Sequence, residues 1–174
     1  MKFRKLYLPL LAALAALIVW KLHEKTETGA RRFLSSEPTQ AQPKLPTIKL
    51  WLGSEELAAE MALTPEQERT GMMFRTNITD ADAMLFVLPV PQRASFWMKN
   101  CPESISAAYV DTDGVIQEIH HLEQQDTTAV TSGTDNILYV LETSDGWFAR
   151  HHVGTGTVIR TERGTLAETF LRRR

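Results

Sequence analysis

The sequence has only one cysteine, Cys101, among its 174 residues. An intramolecular disulfide is therefore excluded, and the fold must be held together by packing alone. The charges nearly balance, at a formal net charge of −2, so the basic field typical of nucleic-acid-binding proteins is missing. There is also no glycine-rich phosphate loop, no G-x-S-x-G motif and no H-E-x-x-H motif. These absences remove the common sequence patterns of nucleotide binding, α/β-hydrolases and zinc peptidases, and no cofactor is indicated.

One long apolar run lies near the start of the chain, at residues 6–22, after Lys2, Arg4 and Lys5. As a helix this run would extend about 25 Å, which is close to the roughly 30 Å of a bilayer's hydrocarbon core. Basic residues that precede a membrane span stay in the cytoplasm. The pattern therefore predicts an uncleaved signal anchor over residues 1–24. This anchor would cross the inner membrane once and place the rest of the chain in the periplasm.

A cleaved signal peptide is the alternative interpretation of this run. Cleavage needs a short polar region that ends in small residues. Here Lys21 and Glu24 follow instead, and the first small-residue site, Thr28 to Ala30, lies well downstream. The sequence therefore favours the anchor, with the cytoplasmic membrane as the partner of the N-terminal helix. Secretion after cleavage is the other outcome.

Composition divides the rest of the chain into two parts. Residues 25–46 are rich in charged residues, Thr, Ser, Gln and Pro and have no sustained periodicity, which predicts a flexible linker. Residues 47–171 contain many short strand-like runs, which predict one folded domain. The predicted strands are 48–52, 57–61, 84–88, 95–98, 105–110, 115–120, 137–141, 158–160 and 166–170.

Two short helices interrupt these strands. Thr64 can cap the first helix, with Pro65 at its first position and Gln67 completing a capping box, and Gly71 ends it. The second is a single helical turn within residues 145–151. Together the elements predict a mostly β domain with two short helices (β-rich α+β), folded as one compact β-sandwich or barrel-like unit.

Five motifs occur in a fixed order within this domain. They are Thr64–Arg75 (T-P-E-Q-E-R-T-G-M-M-F-R), Met84–Val87, Phe96–Asn100 (F-W-M-K-N), Asp111–Gly114 (D-T-D-G), and Tyr139–Glu142 followed by Gly146. In this order the motifs resemble the domain-of-unknown-function 192 family of bacterial and archaeal proteins, over roughly Ile48 to Ile159. The resemblance implies a small β-rich sandwich or barrel-like domain, often exported or membrane-anchored. It implies no reaction.

The chain departs from the family pattern at three positions. Ala83 stands where the family usually has Gly, and Cys101 stands where it usually has Thr. Ser106 stands where the family's Asp would fall. If that Asp is catalytic or binds a metal in the family, this chain is a variant without that capacity.

Five residues beside or within the apolar runs form the predicted ligand site: Arg75, Trp97, Lys99, Asn100 and Glu142. Arg and Lys bind carboxylates and phosphates, Asn both donates and accepts, and Trp provides a stacking surface. The site would hold a small polar or anionic ligand. The structural alternative is that Arg75 pairs with Glu142, that Asn100 caps a loop, and that Trp97 belongs to the core.

Histidine pairs are a second candidate, at 120–121 and 151–152. Neighbours on a strand point to opposite faces of the sheet. At most one histidine of a strand pair could therefore serve one site, and the surrounding residues have no recognised ligand spacing. We therefore predict no metal site.

Two further motifs are assigned structural roles. Cys101 precedes Pro102 and so lies in a turn, and His120 or His121 could serve as its base only if the fold brings one of them close. The Asp113-Gly114 pair predicts a hairpin turn rather than a calcium loop.

Three functional hypotheses follow. The first is a binding module for a small ligand or envelope component. The second is an enzyme of unknown reaction that uses Arg75, Lys99, Asn100 and Glu142, with Glu142 or a histidine as general acid–base. The third is an interaction domain that docks on an envelope partner through a flat apolar patch. The binding module is favoured, and no catalytic residue is assigned.

Overall fold

Alternating and continuous apolar runs give ten strands and three short helices in the computed structural model, which describes Lys21 and residues 37–171. The strands are β1 (Thr47–Leu52), β2 (Glu55–Ala62), β3 (Ala83–Gln92), β4 (Ser95–Phe96), β5 (Ile105–Asp111), β6 (Ile116–Leu122), β7 (Val130–Thr131), β8 (Ile137–Ser144), β9 (Ile159–Thr161) and β10 (Gly164–Thr165). The helices are α1 (Pro65–Thr70), α2 (Trp147–Arg150) and α3 (Leu166–Phe170).

The apolar run at residues 6–22 lies outside the described residues, apart from Lys21. Among the residues that the structure does describe, no helix is long and apolar enough to cross a membrane. The signal anchor therefore stays a prediction.

Eight strands form one sheet in the order β10-β9-β1-β2-β3-β8-β5-β6, and β4 and β7 form a separate two-stranded ribbon. The pairing of β2 with β3 is parallel, and the other strand pairs are antiparallel. A parallel pair needs a crossover connection. Here the crossover from β2 to β3 carries α1 and the turn that follows it.

The sheet curls into a half-barrel, so the barrel-like form of the predicted fold is the one observed. Its two ends meet where β6 begins. The Ile116 N–H donates to the Thr157 carbonyl at 2.9 Å, and the Ile159 N–H donates to the Gly114 carbonyl at 2.8 Å. Because these bonds join the start of β6 to the segment leading into β9, they close one corner of the curl.

The most deeply buried strands of the sheet are β5 and β8. Every residue of β5 and every residue of β8 is buried. A continuous apolar run of strand length predicts such a strand, since both of its faces are covered. Ala107 and Ala108, at the centre of β5, are fully buried. Their small side chains let residues of the adjacent layers pack close to the strand.

The predicted start and stop of α1 are confirmed. The Gln67 N–H donates to the Thr64 hydroxyl, the Gln67 side chain accepts from the Thr64 N–H, and Pro65 is the first helical residue. Gly71 follows the helix with φ +46°. A Cβ at this position would lie 3.3 Å from a ring carbon of Phe86, so glycine lets the chain pass close to the ring.

The third helix corrects the sequence prediction. Residues 166–170 were expected to form a strand, and they form α3 instead. Thr165 and Glu168 make a second capping box, in which the Glu168 N–H donates to the Thr165 hydroxyl at 3.1 Å. This T-x-x-E spacing is the standard helix-start signal. It outweighs the apolar character of Leu166 and Phe170, which are also spaced for one helical face.

The predicted hairpin turn between β5 and β6 is confirmed. Gly114 has φ +82°, and Asp111 accepts the N–H groups of Asp113 and Val115, both at 2.9 Å. The Asp111 carboxylate therefore organises the backbone of the turn.

Part of the segment that composition assigned to a linker contacts the domain. The Gln42 side chain donates to the carbonyls of Gln67 at 3.1 Å and Gly71 at 2.9 Å. The Leu45 N–H donates to a carboxylate oxygen of Glu60 at 2.7 Å. These bonds tie residues 42–45 to α1 and β2.

Candidate functional site

A cavity of about 290 Å³ opens beneath α1, between this helix and the sheet. Its walls are largely apolar and aromatic, formed by Met72, Met73, Phe86, Phe96, Trp97 and Cys101. Its polar and charged lining includes Glu68, Arg69, Thr70 and Glu142. The volume lies near the lower end of the roughly 300–1,000 Å³ typical of small-molecule sites.

The sheet places Glu142 among side chains that cannot bind it. Glu142 lies on β8, directly opposite Met84 of β3 and Ala107 of β5. Directly opposed residues in antiparallel strands share one face of the sheet. Neither the Met84 nor the Ala107 side chain can donate a strong hydrogen bond to a carboxyl group. The small Ala107 side chain also leaves space beside Glu142.

The Glu142 carboxyl is buried, and one of its oxygens lacks a hydrogen-bond partner. The residue is only 4% exposed, and its Oε2 has no hydrogen-bond partner in the described part of the chain. Burial raises the pKa of Glu142 to about 8, and the charge of Arg75 only partly opposes this rise. The group is therefore largely protonated at neutral pH. A carboxyl whose pKa is shifted this far, in a cavity, is typical of a functional site.

Arg75 forms an ion pair with Glu60 and not with Glu142. Its two terminal nitrogens bind the two oxygens of Glu60, at 2.5 and 2.8 Å. Both side chains are nearly buried, with 11% of Arg75 and 5% of Glu60 exposed. Burial favours the neutral form of Glu60 and acts to raise its pKa. The hydrogen bonds that Glu60 accepts from Arg75 and from the Leu45 N–H, together with the charges of Arg75 and Lys44, outweigh burial and hold the pKa of Glu60 below its usual value. The ion pair thus joins Arg75 to Glu60 rather than to Glu142.

The structure brings two of the five predicted site residues to this cavity, Glu142 inside it and Trp97 at its rim. Trp97 is 47% exposed, and the Lys99 ammonium lies 5.6 Å from its ring centroid. Asn100 has φ +60°, and its carbonyl accepts the Phe74 N–H at 2.8 Å. Asn100 therefore joins two loops through its backbone.

Arg75 lines a separate cavity of about 230 Å³, together with Gln42, Lys44 and Asp82. Lys99 and Asn100 are not part of the lining of either cavity. The ligand-binding role of these three residues stays a prediction.

Sequence reasoning missed the helical side of the cavity. Glu68 lies on α1, and burial raises the pKa of its carboxyl. The capping box located this helix, but no local signal shows that its underside covers a cavity. Phe96 was assigned to a strand and to the F-W-M-K-N motif, but not to the site. It packs edge-to-face on Phe86, with ring centroids 5.0 Å apart, and forms part of the wall.

Cys101 also lines the cavity and is 5% exposed. Burial, with a smaller contribution from the charge of Glu142, raises the pKa of this thiol to about 12. The thiolate is the reactive form. Compared with a free thiol of pKa 9.0, its thiolate fraction near neutral pH falls by about 10³-fold.

We therefore expect Cys101 to react with iodoacetamide at least about 10³-fold more slowly in the folded protein than after unfolding in guanidinium. Mass spectrometry of timed samples measures both rates, and the unfolded sample controls for reagent quality. Complete labelling of the folded protein at the unfolded rate would contradict this assignment.

The histidines bind carboxylates at separate places. His120 lies 2.8 Å from Glu118, and His151 lies 2.8 Å from Glu55. Hydrogen bonds that the His121 ring donates to Asp145 and to Glu123, the Asp145 bond having the larger effect, raise the pKa of His121. Across the described residues, no three His, Cys, Asp or Glu side chains are grouped so that they could hold a metal ion.

Ser106, at the position of the family's Asp, has a structural role. Its hydroxyl accepts the Gly146 N–H at 2.9 Å and lies 3.3 Å from a carboxylate oxygen of Asp145. These bonds hold the turn that leads into α2. The hydroxyl thus provides an acceptor for the turn backbone.

Two solved structures share this fold. One is a protein from Sinorhizobium meliloti 1021, provisionally described as a transcription regulator, with a TM-score of 0.64 and 24% identity over 70% of this chain and 98% of that one. The other is a protein of unknown function from Novosphingobium aromaticivorans DSM 12444, with a TM-score of 0.63 and 25% identity over 73% of this chain and 95% of that one. Among curated proteins, none matches the chain.

The family model DUF192, described as Uncharacterized ACR, matches residues 48–161. This span includes every strand from β2 to β9, and with them α1, Trp97 and Glu142. It agrees with the span over which the sequence motifs resemble that family. The chain therefore belongs to the domain-of-unknown-function 192 family.

Proposed function

We propose that this domain is a binding module for a small ligand that has a mainly apolar body and one polar group directed at Glu142. The observation that carries the proposal is the unpartnered, buried carboxyl in the lining of an otherwise largely apolar cavity. Ligand sites commonly combine apolar walls with a few polar groups that orient the ligand.

The energetic cost of Glu142 supports this proposal. A buried polar group without a hydrogen bond costs roughly 1–3 kcal/mol or more relative to a satisfied one. The described residues provide no bond to Oε2 that would offset this cost. An apolar side chain would pack there with less penalty, so folding alone does not explain a carboxyl at position 142. A ligand that donates a hydrogen bond to it does.

The same lining revises the expected ligand chemistry. A small anionic ligand was expected from Arg75 and Lys99, neither of which lines this cavity. Two carboxyl groups, Glu68 and Glu142, and one guanidinium, Arg69, do line it, so an anionic ligand would gain no net attraction there. The lining therefore favours a neutral or positively charged polar group.

The proposed location of the module is outside the cytoplasmic membrane, tethered by residues 1–24. The apolar run at residues 6–22 and the preceding basic residues support this orientation. Protease treatment of spheroplasts tests it, because the domain should be digested without lysis. Digestion only after lysis would contradict the proposed orientation.

Binding is tested with the full chain in mild detergent, by thermal-shift screening against small amines, alcohols, amides and carboxylic acids. A ligand at 100 times its Kd stabilises a protein by about 2.7 kcal/mol. We expect at least one class to raise the Tm, and we expect Glu142→Gln and Trp97→Ala to reduce that rise. Glu162→Gln is the matched control, since it makes the same change at an exposed carboxylate. No shift with any class would contradict the proposal.

General acid–base catalysis is the second candidate function, because the pKa of Glu142 is raised to about 8. A catalytic acid or base works best when its pKa is close to the working pH. Cys101 does not supply a ready nucleophile, since its thiol is protonated. An enzyme would convert a compound that binds in the cavity, and Glu142→Gln would abolish turnover. A binding module would return the compound unchanged.

A further inference from the structure

We propose that the polar group received by Glu142 is a cation, so that the cavity takes a small organic ammonium ion with an apolar or aromatic body. This inference rests on the proposed binding function and names its ligand class. Three features of the cavity support it: a carboxyl without a cationic partner, aromatic walls and the distribution of charge in the lining.

The first feature is that Glu142 has no cation bound to it. The nearby Arg75 has both terminal nitrogens on Glu60, at 2.5 and 2.8 Å. In a largely apolar cavity a carboxylate must gain either a proton or a cationic partner. Glu142 keeps its proton when the cavity holds no ligand. An ammonium ion can take the place of that proton, because it supplies both a positive charge and N–H donors.

The second feature is the ring system of the walls. Phe86, Phe96 and Trp97 all line the cavity. Aromatic faces attract cations by about 0.5–2 kcal/mol, the larger value applying where water is excluded. The ring of Trp97 already has the Lys99 ammonium 5.6 Å from its centroid. The walls can therefore stabilise a positive charge as well as an apolar body.

The third feature is the charge distribution around the site. Glu68 adds a second carboxyl to the lining, and Arg69 adds one guanidinium. The titratable and charged groups that face Glu142 or share its cavity are Arg75, Tyr109, Cys101, Glu68 and Arg69. Burial keeps Tyr109 and Cys101 protonated, because it raises the pKa of each. Glu142, with a pKa of about 8, therefore changes its charge as the pH rises from 6 to 8.

Binding of a cation must release the Glu142 proton. The pKa of this group is about 8 in the ligand-free protein. The fraction of carboxylate consequently rises about 50-fold between pH 6 and pH 8. Affinity for an ammonium ion should rise by the same factor. Affinity for a neutral ligand that accepts a hydrogen bond from the protonated carboxyl should not rise.

Three near-isosteric probes separate these cases: benzylammonium, benzyl alcohol and benzoate. Isothermal titration calorimetry of the full chain in mild detergent is performed at pH 6, 7 and 8, in two buffers with different ionisation enthalpies. We expect benzylammonium to bind at least tenfold more tightly than the other two at pH 8. Its affinity should increase about 50-fold from pH 6 to 8, with about one proton released at pH 6. Glu142→Gln should remove both the preference and the pH dependence, and Glu162→Gln should change neither.

Other outcomes overturn the inference in distinguishable ways. If benzyl alcohol binds as tightly as benzylammonium with no pH dependence, the cation is wrong and the small-ligand function stands. If benzoate binds best, the charge assignment of the cavity is wrong. If no probe binds, both the cation and the small-ligand function fail for ligands of this size. The comparison of the three probes on the unaltered protein needs no variant, so it holds even if Glu142→Gln does not fold.

Discussion

Replacing Arg75 with alanine is expected to lower the free energy of unfolding by about 3–5 kcal/mol. The variant would leave Glu60 buried, with 5% of its side chain exposed, and without its bidentate partner. Removing one member of a buried ion pair is costly because the remaining charge has lost its solvation and its counterion. Lys44, 3.4 Å from Glu60 and largely exposed, can offset only a small part of this loss.

Urea denaturation of the full chain, followed by tryptophan fluorescence, measures the effect of Arg75→Ala. The double variant Arg75→Met with Glu60→Leu should recover most of the stability, since it removes both charges and keeps the packing. Lys49→Ala is the matched control, because it breaks an exposed pair with Glu56 and should leave the transition unchanged. If Arg75→Ala unfolded at the same urea concentration as the unaltered protein, the buried pair would not be a main stabilising contact.

The second large effect is a loss of stability as the pH rises from about 4 to about 8. An unfolded Glu has a pKa of about 4.3, whereas the pKa of Glu142 in the folded protein is about 8. Between these values the folded state holds a proton that the unfolded state has released. Raising the pH therefore favours unfolding, by about 1.4 kcal/mol per pH unit and about 5 kcal/mol in total.

Glu142→Gln isolates this contribution. Glutamine does not titrate, so the variant should lose the part of the slope that Glu142 causes and should be the more stable protein at pH 8. His121 and His151 also have raised pKa values, owing first to Asp145 and Glu55 respectively, and the stability they add is likewise lost as the pH rises. Their contribution is common to both proteins and cancels in the difference. Parallel curves of unfolding free energy against pH would contradict the assignment.

Local sequence patterns located most elements of this fold, although they missed the short strands β7 and β10. The capping box at Thr64, the hairpin turn at Gly114 and the fully buried run at 137–141 each depend on neighbours in sequence, and each is observed. The strand predicted at 166–170 was wrong because apolar composition was given more weight than the capping signal of Thr165. That signal was present in the sequence, and it would have given the third helix.

The site was less accessible to sequence reasoning because it depends on tertiary contacts. Glu142 and Trp97 stood out as polar or amphipathic residues in apolar runs, and both line the cavity. The partner of Arg75 could not be read from spacing, since Glu60 lies on a strand before the α1 crossover. Gln42 was placed in a linker because low periodicity does not reveal side-chain bonds to a helix end.

Glu142 is a buried carboxyl to which a ligand can bind, and its titration can be followed directly. The measurement is the side-chain carboxyl ¹³C shift of Glu142 in the full chain labelled at glutamate, assigned with Glu142→Gln and followed from pH 3 to 10. We expect the Glu142 titration to have its midpoint near pH 8. The midpoint should fall when benzylammonium saturates the cavity. A midpoint near 4.3, the ordinary value for glutamate, would contradict it.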